Sequence, residues 1–264
     1  MLGQNLYVLE KNPIPRSAVE YKSFDIVHEK VCALAKSTSG DYDVPDTVPI
    51  YDQLTLGSCT SNGVCEVVNI ILALQNDPTM FLSRLFLYYL CREGYNKIQQ
   101  DSGTPVCFAI DRISNIGICL EEQWPYDVSK FTVRPPPECY VAASANTITS
   151  WYQIDTFGKT RGDQVEASIR SNHPVVFATA CSEAMQTYRA GQVLVPPKTS
   201  EIEGYHCMVI TGVRYINGQR VFRVRNSWGP AYGDNGHLLI SESYLEQSYT
   251  HDLWFLSVSP ALMF

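Results

Sequence analysis

The dipeptide Asn217-Gly218 is the feature that most constrains what this chain can fold into. It lies between the apolar run 207–213 and the run 220–225, in which apolar and basic residues alternate. Both central residues of a tight two-residue hairpin turn need a positive φ, which Asn and Gly adopt most readily. We therefore predict a β-hairpin, and with it an antiparallel sheet, in the C-terminal half of the chain.

The remaining patterns divide the chain into a helical half and a β-rich half. Apolar residues at helical spacing and helix-ending signals predict helices over 59–74, 82–92 and 106–116. Short apolar runs predict further strands at 174–178, 236–240 and 253–256, with one helix among them over 162–171. Helices followed by strands indicate an α+β fold.

Two breaks in the sequence suggest how the chain is organised. The polar stretch 36–41 separates the N-terminal segment, residues 1–39, from the rest of the chain. In this segment Ser17 precedes an apolar stripe that is compatible with a helix. The triple proline 135–137 marks a loop between the halves. We predict a mainly helical domain over 40–136 and a mainly β domain over 137–264. Residues 1–39 form either a surface extension or a short prosegment that covers the active site.

Composition and charge argue against several classes of function. The chain has 20 basic and 27 acidic residues, a net charge of 20 − 27 = −7, and no basic run, so attraction to nucleic acid or anionic lipid is not expected. No apolar stretch reaches the length of a membrane helix, and the N-terminus has no secretory pattern, so a cytoplasmic protein is favoured over non-classical secretion. The spacing of the nine cysteines fits no zinc site, and mostly reduced thiols are expected.

The predicted hairpin brings together two residues that suit acid–base chemistry. His206 begins the first strand and Asn226 ends the second, and the midpoint between them, residue 216, adjoins the turn. An Asn oxygen that accepts from an imidazole fixes the ring orientation without adding charge. A core histidine is the alternative interpretation of His206. Trp228 follows closely and is expected to shield this hydrogen bond, to pack in the core, or both.

A candidate nucleophile stands far upstream. Cys59 opens the first predicted helix after Gly57, which permits a tight turn. The positive end of a helix dipole lowers the pKa of a thiol and favours the thiolate. Gln53, six residues earlier, is a candidate side-chain donor to an oxyanion, together with the main-chain N–H of Cys59. Taken alone, Cys59 has the alternative interpretation of a structural cysteine, and Gln53 that of a solvated side chain in a loop.

Together these segments resemble the papain family of cysteine peptidases, in a divergent bacterial or viral branch with a short N-terminal extension. The resemblance rests on Gln53 with 57–59, on His206, on Asn226 with 227–229 and its continuation to Gly236, and on the landmark 117–126. It implies a helical domain and a β-barrel-like domain with the cleft between them. It also implies peptide-bond hydrolysis by a Cys59 thiolate and His206 imidazolium pair, oriented by Asn226, without metal or cofactor.

Several departures from the family pattern affect the substrate pockets. Thr60 replaces the usual aromatic residue, and Leu56 replaces a cysteine, so one familiar disulfide cannot form. The usual glycine pair is missing, and the segment 101–103 is expected near its place. Gly103, Tyr205 and Trp228 are the candidate substrate-binding residues.

Three functions are compatible with these residues. An endopeptidase acting on protein or peptide substrates, held latent by residues 1–39 as an intramolecular inhibitor, is the leading hypothesis. A deubiquitinase-like or transferase activity would use the same thiol. A catalytically silent binding module is the alternative from another class, and it is disfavoured because Cys59, His206, Asn226 and Gln53 are all retained.

Overall fold

The computed structural model describes residues 40–45, 48–75, 81–148, 150–154 and 160–257. The helix predicted within 1–39, and with it the prosegment hypothesis, lies outside the described residues. The helices of the described part are α1 Cys59–Leu74, α2 Arg84–Gly94, α3 Val106–Asn115, α4 Pro137–Ala143, α5 Thr160–Arg170 and α6 Glu183–Gln186. The four predicted helices correspond to α1, α2, α3 and α5.

The loop predicted at 135–137 is only partly correct. Pro137 is the first residue of α4, where the fixed φ of proline suits a helix and its missing N–H would have no partner within the helix. The triple proline therefore starts a helix as well as ending a loop. Neither α4 nor the short α6 was predicted from the sequence.

One antiparallel sheet forms the β-rich part. Its strands are β1 Tyr42–Asp43, β2 Ser150–Gln153, β3 Val175–Cys181, β4 Gly204–Ile216, β5 Gln219–Arg225, β6 His237–Ser241 and β7 His251–Ser257. Their order is β2-β7-β3-β4-β5-β6, and β1 pairs with β4. The predicted strands are confirmed, while β1 and β2 are additional.

The predicted hairpin joins β4 to β5. Ile216 pairs with Gln219, and Asn217 and Gly218 between them have φ of 51° and 75°. These are the positive values that a tight hairpin turn requires. A register shift between Ile210 and Gly212 changes the pairing nearer the start of β4, which matters for the position of His206.

Helix α1 lies at the centre of the molecule. Its residues are buried from Cys59 to Leu72, as expected for a helix covered on all sides. It packs against α2 and α3 on one side and against β3, β4 and β7 on the other. The start of α1 is therefore held beside the start of β4, the two positions that carry Cys59 and His206.

Two apolar clusters make up the core. The first unites α1, α2 and α3 and also takes in Cys139 and Ala143 of α4. The second lies on the sheet and α5 and includes Val44, Val48 and Tyr51. Helix α4 thus packs with the helical part, and the segment after β1 packs with the sheet. The division of the chain at 136/137 stays a prediction.

The eight cysteines within the described residues are free thiols. No helix in the described part of the chain is long and apolar enough to cross a membrane.

Candidate active site

Cys59 opens α1 directly after a tight turn. The N–H of Leu56 donates to the carbonyl of Gln53 at 3.2 Å, and the N–H of Gly57 donates to Oδ1 of Asp101 at 2.8 Å. The carbonyl of Ser58 then accepts the N–H of Asn62 at 3.0 Å. Cys59 is fully buried at the positive end of the α1 dipole, the position predicted from its sequence context.

His206 and Asn226 are joined by a short hydrogen bond. His206 Nε2 lies 2.7 Å from Oδ1 of Asn226. The same oxygen accepts the N–H of Ser227 at 2.8 Å, which fixes the orientation of the amide. Because an amide oxygen only accepts, Nε2 carries the proton and Nδ1 is left as the basic nitrogen.

The predicted proximity of His206 and Asn226 is observed, but the counting argument for it was wrong. The hairpin turns at Asn217-Gly218 rather than about residue 216, and the register shift in β4 alters the pairing further. The last paired residue of β5 is Arg225, opposite Val209. His206 and Asn226 are therefore not direct cross-strand partners, and the side chains make the connection.

Trp228 covers the imidazole. Its ring stacks on His206 with centroids 4.7 Å apart and an angle of 22°, and its edge meets Tyr232 at 4.9 Å. A stacked indole keeps water from the ring and from the bond to Asn226. This stacking supports the shielding role expected for Trp228, which also packs against the second apolar cluster.

The side-chain amide of Gln53 is fixed from both halves of the molecule. Ser227 Oγ donates to Oε1 of Gln53 at 2.6 Å, and Nε2 of Gln53 donates to the carbonyl of Leu56 at 2.9 Å. The main-chain N–H of Gln53 donates to the carbonyl of Ser227 at 2.8 Å. With Oε1 held by Ser227, the second hydrogen of Nε2 remains to donate elsewhere.

The candidate nucleophile and base come from opposite halves, Cys59 at the start of α1 and His206 near the start of β4, and α1 packs on β4. The main-chain N–H of Cys207, the residue after His206, hydrogen-bonds the sulfur of Cys59. Burial raises the pKa of the Cys59 thiol, and this bond acts in the opposite direction. Burial also lowers the pKa of His206 to about 4, against the effect of the bond to Asn226.

In this closed site, burial acts against the lowering of the pKa that is expected from the helix dipole, and the pKa of the Cys59 thiol is raised. Complete desolvation of the sulfur outweighs the favourable N–H groups around it. A thiolate and an imidazolium that form together attract each other strongly where water is excluded, which opposes the cost of desolvation.

Comparison with known proteins decides the family. A family model described as papain family cysteine protease matches residues 39–251. The chain belongs to this family. It is a cysteine-type peptidase, a hydrolase whose substrates are peptides, and the sheet and helices described above form the papain fold.

The papain-family chain has relatives in viruses and eukaryotes. It is 31% identical over 222 residues to an uncharacterized peptidase C1-like protein of Acanthamoeba polyphaga mimivirus, covering 81% of this chain and 71% of that protein. It is 28% identical to cysteine proteinase 3 of Dictyostelium discoideum over 75% of this chain and 57% of that one.

Solved structures agree on the fold. Xylellain, a cysteine protease from Xylella fastidiosa, superposes with a TM-score of 0.74 at 24% identity, over 86% of this chain and 89% of its own. Digestive procathepsin L 3 of Tenebrio molitor superposes with a TM-score of 0.67 at 19% identity, over 97% of this chain and 74% of its own.

The two other candidate substrate-binding residues of this papain-family protein belong to segments that border the site. Gly103 lies between two residues that are hydrogen-bonded to the segment around Cys59. Asp101 accepts a hydrogen bond from the N–H of Gly57, and the carbonyl of Thr104 accepts one from Oγ1 of Thr60 at 2.5 Å. Tyr205 is half-buried directly before His206, and its ring meets His251 edge-on at 5.9 Å. Both segments are therefore tied to the site, and their contact with substrate stays a prediction.

Sequence reasoning missed Ser227, Asp101 and Tyr126. Ser227 holds the Gln53 amide, and Asp101 holds the turn before Cys59. Tyr126 donates from its hydroxyl to the carbonyl of Gln53 at 2.9 Å and pairs with Ser58 Oγ at 2.5 Å. All three lie inside motifs that the sequence had already singled out. Only the geometry shows that these polar neighbours orient the named residues.

Among the described residues, no group of three or more His, Cys, Asp or Glu side chains is arranged to hold a metal ion. What the site does offer is a buried sulfur, an oriented imidazole and an amide donor. Those are the components of acyl transfer through a thioester.

Proposed function

We propose that the chain is an endopeptidase in which Cys59 attacks the peptide carbonyl, His206 moves the proton, Asn226 orients His206 and Gln53 binds the oxyanion. One observation carries the proposal. The bond between His206 Nε2 and Asn226 Oδ1 leaves Nδ1 basic on a residue whose neighbour, Cys207, contacts the Cys59 sulfur. No such arrangement is needed for a histidine that only fills the core.

The acylation step follows from these positions. The proton of the Cys59 thiol passes to Nδ1 of His206, which gives a thiolate and an imidazolium. The thiolate then bonds to the carbonyl carbon, and the oxyanion accepts from Gln53 Nε2 and the Cys59 N–H. When the C–N bond breaks, the imidazolium returns that proton to the departing amine. The result is a Cys59 thioester and a free C-terminal fragment.

Deacylation repeats the sequence with water. Nδ1 of His206 takes a proton from water while the oxygen bonds to the thioester carbon. The C–S bond then breaks, the proton returns to the sulfur, and the N-terminal fragment leaves as a carboxylic acid. The resting Cys59–His206 pair is then restored.

Latency through residues 1–39 is part of this proposal. Two of the structurally similar proteins are pro-forms, procathepsin L 3 of Tenebrio molitor and procathepsin B of Trypanosoma congolense. The segment that follows residue 39 is anchored on the sheet, since β1 pairs with β4 and Arg170 Nη2 and the Gly40 carbonyl are hydrogen-bonded. A preceding segment that covers the cleft would therefore be attached to a fixed position on the sheet.

The test is cleavage of an internally quenched peptide mixture in ordinary and in ¹⁸O-enriched water. Hydrolysis predicts a new carboxyl group that carries the heavy oxygen, with the Cys59→Ala variant inactive. Products joined to an added amine rather than to water would favour the transferase alternative. Equal cleavage by the wild type and Cys59→Ala would reject the proposed nucleophile. No cleavage by the full chain or by a Δ1–39 variant would favour the silent binding module.

A further inference from the structure

A pocket of about 690 Å³ lies among the start of α2, the segment 49–51 and the segment 120–125. Small-molecule sites have volumes of roughly 300–1,000 Å³, so this pocket is large enough for a ligand. Three of its lining residues are charged, namely Arg84, Glu121 and Glu122. The others are apolar or aromatic: Pro49, Tyr51, Phe81, Leu120 and Pro125. None of these residues is a candidate catalytic or substrate-binding residue.

Two walls of the pocket are joined by main-chain hydrogen bonds. The N–H of Glu121 donates to the carbonyl of Phe81 at 2.7 Å, and Leu82 forms a β-bridge with Leu120. The N–H of Arg84 donates to Oε2 of Glu121 at 3.1 Å. The folded chain therefore forms these walls without a ligand, so binding does not have to meet the cost of ordering them.

Arg84 is already occupied by partners inside the protein. Its Nη2 donates to Oε1 of Glu121 at 2.8 Å, and its Nη1 donates to Oδ1 of Asn62 at 3.1 Å. The rings of Tyr51 and Tyr126 stack against the guanidinium, with centroids 4.3 and 4.2 Å from its central carbon. Its side chain is 13% exposed. An anionic ligand would have to displace Glu121, so this pocket is not suited to anions.

The remaining charge of the pocket is negative. Its lining has one cation and two anions, and Glu121 neutralises Arg84. Glu122, which is exposed, is left as the charge available to a ligand. Phe81 supplies an aromatic ring in the same lining. A carboxylate attracts a cation by its charge, and the face of an aromatic ring does so through its quadrupole. The pocket is therefore complementary to an organic cation.

We propose that this pocket binds a small organic cation, an amine carried on an apolar body. The ammonium group pairs with the carboxylate of Glu122, and the body packs against Phe81 and Leu120. Because no candidate catalytic or substrate-binding residue lines the pocket, this second site goes beyond the proposed function. Its test is a binding measurement that does not depend on peptide hydrolysis.

NMR titration of the full chain with 2-phenylethylammonium measures this binding. The wild type is expected to bind it and to bind 3-phenylpropionate, which has the same ring and the opposite charge, much more weakly. Glu122→Gln is expected to weaken binding of the amine by about fivefold, which corresponds to one exposed charge pair. Glu122→Lys is expected to reverse the preference in favour of 3-phenylpropionate.

Glu183→Gln is the matched control, because Glu183 is also exposed but lies at the start of α6, outside the pocket. It is expected to keep the wild-type affinity for the amine. Equal binding of the amine and the carboxylate by the wild type would overturn the inference. Equal affinities of Glu122→Gln and the wild type, or no binding of the amine to the wild type, would also overturn it.

A lysine peptide tests whether the cation belongs to a protein instead. Acetyl-Gly-Lys-Gly-amide is titrated into Cys59→Ala, with and without Glu122→Gln. Weaker binding than that of 2-phenylethylammonium is expected, because the lysine stem has no ring to pack against Phe81. Tighter binding that depends on Glu122 would assign the pocket to a basic side chain of a protein partner and would overturn the small-molecule ligand.

Discussion

Ser227 Oγ donates to Oε1 of Gln53 at 2.6 Å and so ties the end of the hairpin to the turn that precedes Cys59. The bond crosses from the β-rich part to the helical part at the proposed oxyanion donor. It also determines which atom of the amide faces the reaction, because Oε1 is already occupied. Ser227 is thus a positioning residue for Gln53.

Ser227→Ala is expected to lower kcat by about tenfold with little change in KM, because the amide of Gln53 loses its fixed orientation. Gln53→Ala, which removes the donor itself, is expected to cost about a hundredfold or more in kcat. Ser144→Ala, at the exposed end of α4, is the control. Steady-state kinetics measure all three, and a Gln53→Ala enzyme with wild-type kcat would contradict the oxyanion role.

Asn226→Ala is expected to lower kcat/KM by about a hundredfold, and less than Cys59→Ala does. Orientation of His206 is partly recoverable, since Trp228 still stacks on the ring, whereas the nucleophile cannot be replaced. The comparison needs variants that circular dichroism shows to be folded. Complete loss of activity in a folded Asn226→Ala protein, equal to that of Cys59→Ala, would refute this ordering.

The buried ion pair between Glu66 of α1 and Arg225 of β5 joins the two halves beside Asn226. Its N–O distance is 2.9 Å and both side chains are 2% exposed. Burial lowers the pKa of Arg225 to about 10, which leaves it charged at neutral pH. Glu66→Ala removes the carboxylate partner of this buried guanidinium, and we expect a loss of about 3 to 5 kcal/mol in the free energy of unfolding.

The control for Glu66→Ala is Asp163→Ala. Asp163 pairs with Arg220 at 2.8 Å, but its side chain is 64% exposed, and a pair of this kind contributes about 1 kcal/mol or less. Denaturant unfolding measures both variants. Equal losses in the two would show that Glu66 does not hold the halves together.

Stability is expected to fall as the pH drops from 6.5 to 4. Burial lowers the pKa of His206 and of His237 to about 4 each, from an ordinary value of 6.5. Between those values the unfolded chain binds protons that the folded chain does not, so protonation favours unfolding as pH falls. Above pH 6.5 this contribution to stability is fully present.

His237→Gln tests that window. Each imidazole contributes at most about 1.4 kcal/mol per pH unit to the slope, so removing one should flatten the dependence of Tm on pH between 4 and 6.5. Tm measured above pH 6.5 serves as the reference within each protein. A slope identical in the variant and the wild type would show that His237 is not buried in its neutral form.

Leu54→Asn is expected to stabilise the fold by up to about 1 kcal/mol, since it relieves a left-handed leucine whose side chain is exposed. Thr55→Asn, at the next position, where φ is not positive, should not have this effect. Thermal unfolding of the two variants decides the point. A lower Tm for Leu54→Asn would mean that Leu54 contributes packing to the fold.

The sequence predicted the parts of the fold that depend on local patterns. The hairpin at Asn217-Gly218 and helix α1 follow from turn chemistry and apolar spacing. Strands β1 and β2 are short and exposed in part, and tertiary pairing alone defines them. The start of α4 was missed because Pro137 is compatible with both a loop and the first turn of a helix.

The candidate site divides in the same way. Residue types and their order identified Cys59, His206, Asn226 and Gln53. The pKa of Cys59, however, depends on how deeply the sulfur is buried where α1 packs on β4, and a local sequence pattern does not contain that information. The supports of Gln53 were missed for a similar reason. Ser227 and Tyr126 reach it from segments 174 and 73 residues away along the chain.

The central claim is that Cys59 is an activated nucleophile, and covalent labelling tests it most directly. An epoxide inactivator of thiol proteases is incubated with the full chain, a Δ1–39 variant and Cys59→Ala. Intact mass then counts the adducts. A single adduct that is absent from Cys59→Ala is the predicted result. An adduct that forms only after residues 1–39 are removed would also support latency through that segment. Labelling that persists in Cys59→Ala, or that fails in both other forms, would contradict the account.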